Sequence, residues 1–215
     1  MSDPMPLTTA EADATRERLV EIARQIIDER GDQGLTMNEL ASRAGVSPVT
    51  LSRYFESKED LIEAIAEHWF RPKVAVMEEV VASDLPPRRK MYEFYARRFA
   101  MMRDAWRADP VGFKMSVELG EAHFDLVRSY VDLGDHYLGM IIAEAMADGH
   151  FDGLEIDETI SLVNQMVSVY CNIGAMLPVM ERLSERKLAR IVDAMFDGLS
   201  AQDRGAQGVK GLRAA

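Results

Sequence analysis

The sequence contains a single cysteine, Cys171, and no apolar run of membrane length. One cysteine cannot form an internal disulfide, so we expect a reducing, cytoplasmic location. Unbroken apolar runs such as 138–143 are far shorter than the roughly 20 residues that a membrane-spanning helix needs. Residues 1–18 contain no apolar stretch typical of a signal peptide. We therefore expect no membrane partner.

Sequence patterns of catalysis and metal binding are also missing. None of the four histidines lies in an H-E-x-x-H arrangement, and there is no G-x-S-x-G, P-loop or Rossmann glycine pattern. Cys171 lies in an apolar helical stripe, which is more typical of an inert core thiol than of a nucleophile. Acidic residues at 148–158 lack the spacing of a calcium loop. We expect no enzyme activity, no cofactor and no metal.

Strand signals are absent, because no run of alternating apolar and polar residues is bounded by hairpin turns. Helical periodicity replaces them, with an early stripe at Leu19, Ile22, Ala23, Ile26 and Ile27. Breaks are predicted at Pro72, Pro86-Pro87, Pro110, the segment 149–153 and Pro178. The pattern predicts an all-α fold of about nine helices.

Positive charge is scarce for a protein that binds nucleic acid. The net charge is −11, and residues 1–60 carry seven Lys and Arg against twelve Asp and Glu. No basic patch therefore indicates DNA binding at the level of composition. This acidity would suit a helical adaptor that binds proteins and not DNA. Duplex binding that weakens steeply with salt would favour a DNA-binding regulator over the adaptor.

The most informative segment is 35–58, which contains three helix starts in close succession. Thr36 and Glu39 have the spacing of a capping box, and Gly45 suits the left-handed position after a short helix. The later start signals are Ser47, Pro48 and Ser57. A short helix, a tight turn, a second short helix and a new helix are the pattern of a helix-turn-helix motif.

The second short helix of such a motif lies in the major groove of DNA with its N-terminal residues at base edges. Leu51 and Phe55 are spaced i, i+4 and can hold that helix against the core. Val49 can then touch a thymine methyl group, and Arg53 can reach guanine or phosphate. The hydroxyl groups that can donate to phosphate belong to Thr50 and Tyr54.

Residue types across the motif match a known family. The matching residues are Thr36, Leu40, Ala41, Ala44, Gly45, Val46, Ser47, Thr50, Leu51, Tyr54, Phe55, Ser57, Lys58, Glu59 and Leu61. Through them the chain resembles, over residues 15–66, the DNA-binding domain of the tetracycline-repressor (TetR) family of bacterial regulators. The resemblance implies that Thr36, Tyr54 and Lys58 contact phosphate. The residues that it places at or near the bases are Pro48, Val49, Thr50, Ser52 and Arg53.

Two departures from the family pattern fall in the second short helix. Many members have a basic residue and a glycine at the positions of Pro48 and Val49, and a tyrosine at the position of Ser52. A serine there removes one expected phosphate contact, which bears on affinity for DNA.

The resemblance also implies the organisation of the rest of the chain. We expect a DNA-binding domain at 12–60 and a larger helical domain for ligand binding and dimerisation at 61–200. Residues 1–11 and 201–215 are rich in small and polar residues and are expected to be flexible tails.

Two late apolar helices, about 157–176 and 184–199, are candidates for a dimer interface. Such stripes are more often plain core, but the resemblance favours a four-helix bundle made by two helices from each subunit of a homodimer. The interface candidates are Val163, Val167, Tyr170, Ile191, Met195 and Leu199.

The middle of the chain is rich in methionine and aromatic residues, which suits an ordinary core or an apolar ligand pocket. The pocket candidates are Trp69, Phe99, Met102, Trp106, Phe113, His123, Tyr137 and Asn164. With the resemblance, we expect a repressor that a small, mostly apolar effector releases from a roughly palindromic operator in double-stranded DNA. The alternative is the adaptor without DNA binding.

Overall fold

A computed structural model describes residues 8–199, and every regular element within them is helical. The α-helices are α1 (Thr9–Arg30), α2 (Met37–Ala44), α3 (Pro48–Leu51), α4 (Lys58–Ala82), α5 (Pro87–Ala108), α6 (Pro110–Ala122), α7 (Phe124–Ala147), α8 (Ile156–Met166), α9 (Ser168–Cys171), α10 (Ile173–Met176) and α11 (Glu185–Gly198). Short 3₁₀ segments occupy Asp32–Gly34 and Leu177–Arg182. The all-α prediction is confirmed.

The described chain divides into two compact units. The first unit consists of residues 8–72 and 106–128, and the second of residues 73–105 and 129–199. The sequence placed a boundary near residue 60, whereas the first unit keeps the start of α4 and all of α6. Pro72 marks the division along α4 but does not end that helix, which continues to Ala82.

The core of the first unit is built around α1. The predicted stripe is confirmed for Leu19, Ala23, Ile26 and Ile27, which are buried, and Ile22 packs against them from a partly buried position. Thr8 caps α1 in a complete capping box with Glu11, whose carboxylate accepts the Thr8 backbone N–H at 2.9 Å. Residues 8–11 were expected to be flexible and are instead capped helix. The remainder of both predicted tails, 1–7 and 201–215, lies outside the described residues.

Local capping chemistry shapes the helix-turn-helix segment. The Thr36 hydroxyl accepts the Glu39 backbone N–H at 3.1 Å, but Glu39 does not return to the cap, so only half of the predicted capping box forms. Gly45 follows α2 with φ 68° and ψ 31°, in the left-handed region that glycine adopts without steric cost. The Ser47 hydroxyl then accepts the Thr50 N–H at 3.0 Å, with Pro48 at the first helical position.

The second unit departs from the sequence prediction between residues 157 and 176. One long helix was expected there, but α8 ends at Met166 and two short helices follow. The Asn172 side chain accepts the Ala175 N–H at 3.1 Å and so caps a new helix inside the apolar stripe. This break raises the helix number to eleven within residues 8–199. The last predicted helix is confirmed as α11, with Ser184 as its N-cap.

No helix within residues 8–199 is both long enough and apolar enough to cross a bilayer.

Candidate DNA interface

Helix α3 carries an exposed face and a buried face within one turn. Leu51, the last residue of α3, is 1% exposed, and Phe55, which follows the helix by four residues, is 0% exposed, so the two anchor this segment to the core of the first unit. On the other side Val49 is 70% exposed, which is unusual for a large apolar side chain and leaves it available to a partner. The first residues of this short helix therefore face solvent, while the buried side chains hold the helix against the core.

The remaining residues predicted to lie near the bases share this outward position. Pro48, Ser52 and Arg53 are exposed, and Thr50 is half-buried. The Thr50 hydroxyl lies 2.8 Å from the Ser47 hydroxyl, so one of the two donates to the other. The Ser52 hydroxyl donates to the Val49 carbonyl oxygen at 3.0 Å, which keeps this short side chain close to its own helix. Pro48, Val49, Ser52 and Arg53 are thus exposed to a partner, whereas Thr50 is partly covered.

The three predicted phosphate contacts differ in their surroundings. Thr36 is exposed at the start of α2, and Tyr54 is half-buried against the core of the first unit. Lys58, at the start of α4, is already engaged, because its ammonium lies 2.9 Å from Asp32 Oδ1 and donates to the Asp32 carbonyl oxygen at 3.0 Å. The carboxylate oxygen itself makes no well-formed hydrogen bond, so this contact is an ion pair held mainly by charge.

Much of the positive charge near the motif is neutralised within the first unit. Arg43 pairs with Glu29 at 2.7 Å and with Glu39 at 3.4 Å. Its hydrogen bond to Glu29 raises the pKa of the Arg43 guanidinium. Arg53, by contrast, is exposed and has no ion pair with any residue in 8–199. It is therefore a cation that can approach DNA without leaving an internal partner.

The predicted pocket residues fall into both units. Trp69, Trp106, Phe113 and His123 belong to the first unit, and Phe99, Met102, Tyr137 and Asn164 belong to the second. Phe113 is buried in the first unit, and His123 Nε2 is buried without a hydrogen-bond partner in residues 8–199.

The four pocket candidates of the second unit differ in what they contact. Phe99 is buried edge-to-face against Tyr170, with ring centroids 5.1 Å apart, and Met102 is buried as well. Asn164 accepts a hydrogen bond from the Tyr95 hydroxyl at 2.9 Å, whereas the Tyr137 hydroxyl donates to Glu78 at 3.0 Å. Asn164 is thus the candidate that joins a polar network in the core.

The predicted dimer residues divide into core and surface. Val163, Val167, Tyr170 and Met195 are buried within the single subunit, so their side chains do not reach a surface that a partner could cover. An apolar helical stripe in the sequence shows that one face of the helix is covered. It does not show whether the same subunit or a partner covers that face. Ile191 and Leu199 are partly exposed. Of the six interface candidates, Ile191 and Leu199 are therefore the two whose side chains a partner subunit could contact.

Two residues in notable positions were missed at the sequence level. Asp32 lies 26 residues from Lys58, and no local pattern predicts their contact. Arg98 occupies a core position of α5, and its spacing could have revealed this. The apolar stripe to which it belongs has the spacing i, i+3, i+4, i+7, i+8 and i+11 at Met91, Phe94, Tyr95, Arg98, Phe99 and Met102.

Two family models match the chain. "Bacterial regulatory proteins, tetR family" matches residues 19–65, which contain the helix-turn-helix segment. "Tetracyclin repressor-like, C-terminal domain" matches residues 87–192, from the start of α5 into α11. The matched regions together contain every residue predicted to contact DNA and most of the second unit.

Similar proteins include an uncharacterized HTH-type transcriptional regulator in the dhlA 5′ region of Xanthobacter autotrophicus. It is 32% identical over 66 residues, and the match covers 31% of this chain and 33% of that protein. The chain thus spans only about a third of the length of this curated relative.

Solved structures share the fold over most of the chain. The TetR-family regulator PfmR from Thermus thermophilus matches with a TM-score of 0.55 and 19% identity, covering 90% of this chain and 98% of that one. The regulator FadR from Bacillus subtilis, solved in complex with stearoyl-CoA, matches with a TM-score of 0.62 and 15% identity, covering 85% and 98%. Identities this low show a shared fold.

Proposed function

Because the chain belongs to the TetR family of bacterial transcription regulators, we propose that it is a repressor that a small effector releases from its operator. Its helix-turn-helix domain is the DNA-binding part. What we propose is which residues contact DNA, that the protein forms a homodimer, and that a small effector regulates it.

The observation that supports this DNA-binding surface is that α3 and the turn after it have one buried side and one exposed side. Leu51 in α3 and Phe55 after it are buried, while Val49 in α3 and Arg53 in the turn remain exposed. An exposed valine and an unpaired arginine suit the methyl group of thymine and the acceptor edge of guanine. We assign base reading to the surface formed by Pro48, Val49, Thr50, Ser52 and Arg53.

Positioning on the phosphate backbone is assigned to Thr36, Tyr54 and Lys58. Thr36 is the N-cap of α2, Tyr54 lies in the turn after α3, and Lys58 is the first residue of α4. Backbone contacts fix register without carrying sequence information, so their loss should weaken all sequences alike. The internal neutralisation of Arg43 and Lys58 means that binding depends on local geometry more than on net charge.

We further propose a homodimer that reads a roughly palindromic site. Two copies of α3 would then enter successive major grooves about 34 Å apart. The partly exposed Ile191 and Leu199 on and after α11 are the candidates for contact with the partner. Effector binding is proposed in the second unit, with α4 as the element that carries its effect, since α4 contributes residues to both units.

Selection of duplexes from a random pool tests the function directly. We expect enriched sequences with two related half-sites and a complex that contains two chains. Arg53→Ala should broaden the enriched set, because the side chain is assigned to base reading. A pool that stays unenriched after repeated rounds with the full chain would contradict sequence-specific binding and favour the adaptor.

A further inference from the structure

Arg98 is a buried cation in the second unit. The residue is 8% exposed and pairs with no carboxylate in residues 8–199. Lys90, a buried cation on the same helix, is paired with a carboxylate. Its ammonium contacts the Glu144 carboxylate oxygens at 2.8 and 3.0 Å. An ionised group in an apolar core is costly unless it is paired, so the Arg98 guanidinium calls for a counter-charge.

The hydrogen bonds of Arg98 leave one edge of the guanidinium without a strong acceptor. Nε donates to the Phe94 carbonyl oxygen at 2.9 Å. Nη1 contacts the Met77 thioether sulfur at 3.3 Å and the Tyr130 hydroxyl at 3.4 Å, which are a weak acceptor and a long contact. Nη2 donates to no acceptor in residues 8–199. With Nε engaged, the Nη1–Nη2 edge is the one left to bind a carboxylate through two parallel hydrogen bonds.

The surroundings of this edge are apolar and aromatic. The Arg98 Cζ atom lies 4.0 Å from the Phe94 ring centroid and 5.4 Å from the Tyr95 ring centroid. Aromatic faces stabilise a cation in part but do not neutralise it. A Cβ atom added at Gly134 would lie 3.7 Å from Nη1, so the backbone of α7 approaches the guanidinium closely. The guanidinium is therefore held in position between the aromatic rings and the backbone of α7.

Asp135, an acidic residue of the same unit, forms no ion pair with Arg98 within residues 8–199. Asp135 accepts a hydrogen bond from Asn164 Nδ2 at 2.7 Å, and Asn164 Oδ1 accepts the Tyr95 hydroxyl at 2.9 Å. Burial raises the pKa of Tyr95 well above its usual value, so the phenol stays protonated and keeps donating to Asn164. This chain of polar groups is satisfied without Arg98.

We propose that Arg98 recognises the anionic group of the effector, and that the effector is a monocarboxylate with a mostly apolar body. This inference rests on the proposed effector response and names the chemical class of the effector. A carboxylate is planar, matches the Nη1–Nη2 edge and brings one negative charge to one positive charge. A phosphate monoester would bring between one and two negative charges at neutral pH, and so fits a single buried cation less well.

Isothermal titration of the full chain without DNA tests this assignment. The probes are straight-chain monocarboxylates of six to sixteen carbons and 2-naphthoate, each compared with the alcohol of the same carbon skeleton. We expect at least one acid to bind about tenfold to a hundredfold more tightly than its alcohol, as a hydrogen-bonded charge pair provides. Arg98→Met should abolish this preference.

The neighbouring residue offers a matched control. Arg97→Met removes the same charge from a partly exposed side chain that pairs with Glu79 at 2.7 Å, and should leave the preference for the acid intact. Arg98→Lys keeps the charge but loses the parallel pair of donors, so it should fold and bind the acid less tightly than wild type. Circular dichroism checks that each variant is folded.

Three results would overturn the assignment. They are the absence of any acid preference in the wild type, an unchanged preference in folded Arg98→Met, and unchanged acid affinity in Arg98→Lys. Because the titration contains no DNA, failure of duplex selection would contradict the proposed function and leave this result untouched.

Discussion

Replacing Asp32 by asparagine tests whether Lys58 is held back from DNA in the free protein. The Lys58 ammonium lies 2.9 Å from Asp32 Oδ1 and donates to the Asp32 carbonyl oxygen at 3.0 Å. To contact a phosphate, the ammonium must leave the carboxylate or share it. Asp32→Asn removes the competing charge but keeps the carbonyl acceptor and the shape of the side chain.

The size of the expected gain in DNA affinity follows from how exposed the ion pair of Lys58 and Asp32 is. The side chains of Lys58 and Asp32 are 31% and 29% exposed, so solvent screens their attraction. Ion pairs of this kind contribute about 0.2–1 kcal/mol, which corresponds to a gain in DNA affinity of about 1.4- to 5-fold. Removing a negative charge near the phosphate backbone acts in the same direction.

The assay is fluorescence anisotropy of a labelled duplex titrated with the full chain at several salt concentrations. The control is Asp13→Asn, which removes one charge from an exposed residue of α1 that has no ion pair in residues 8–199. The gain should exceed that of the control, and in a Lys58→Ala background it should fall to the size of the gain that Asp13→Asn gives. An excess over Asp13→Asn that persists without Lys58, or an affinity equal to that of Asp13→Asn with Lys58 present, would refute the reasoning.

The remaining predictions concern the same surface and the two cores. Lys58→Ala should weaken all duplexes alike and reduce the salt slope by about one, whereas Arg53→Ala should mainly change sequence preference; equal losses on specific and random duplexes would make Arg53 a phosphate contact. Ile191→Asp should yield monomers in sedimentation, and a persistent dimer would exclude this interface. Met195→Ala should lower the free energy of unfolding by about 2–5 kcal/mol in urea, since its side chain is fully buried. Gly45→Ala should cost about 1–2 kcal/mol through its left-handed backbone alone, because no atom lies within 4 Å of the added Cβ, and an unchanged urea midpoint would contradict this.

The elements that the sequence predicts best are those specified by adjacent residues. Gly45 after α2, Ser47 before α3 and Pro48 as the first residue of α3 are local signals, and each appears in the structure as expected. Leu51 and Phe55 were also predictable, because i, i+4 spacing places them on one face. The local backbone of the candidate DNA-binding surface could therefore be predicted before any tertiary contact was known.

Features that depend on distant residues could not be predicted in this way. The apolar stripe through Val163 and Val167 has the same sequence pattern whether the chain itself or a partner covers it. Only the burial of these residues within one subunit shows that they belong to its core. The cap at Asn172 competes with a continuing helical stripe, and periodicity alone favours the continuous helix. Lys58 and Asp32 meet through the fold of the first unit, over a separation that no local rule reaches.

The dependence of DNA affinity on salt is the most direct test of the central claim that the first unit binds DNA. The full chain is titrated onto a selected duplex between 50 and 200 mM salt, with a random duplex of equal length for comparison. We expect the logarithm of affinity to fall linearly with the logarithm of salt concentration, with a slope of about −0.9 for each neutralised phosphate, and tighter binding to the selected duplex at every point. The absence of binding to either duplex at the lowest salt would contradict the account.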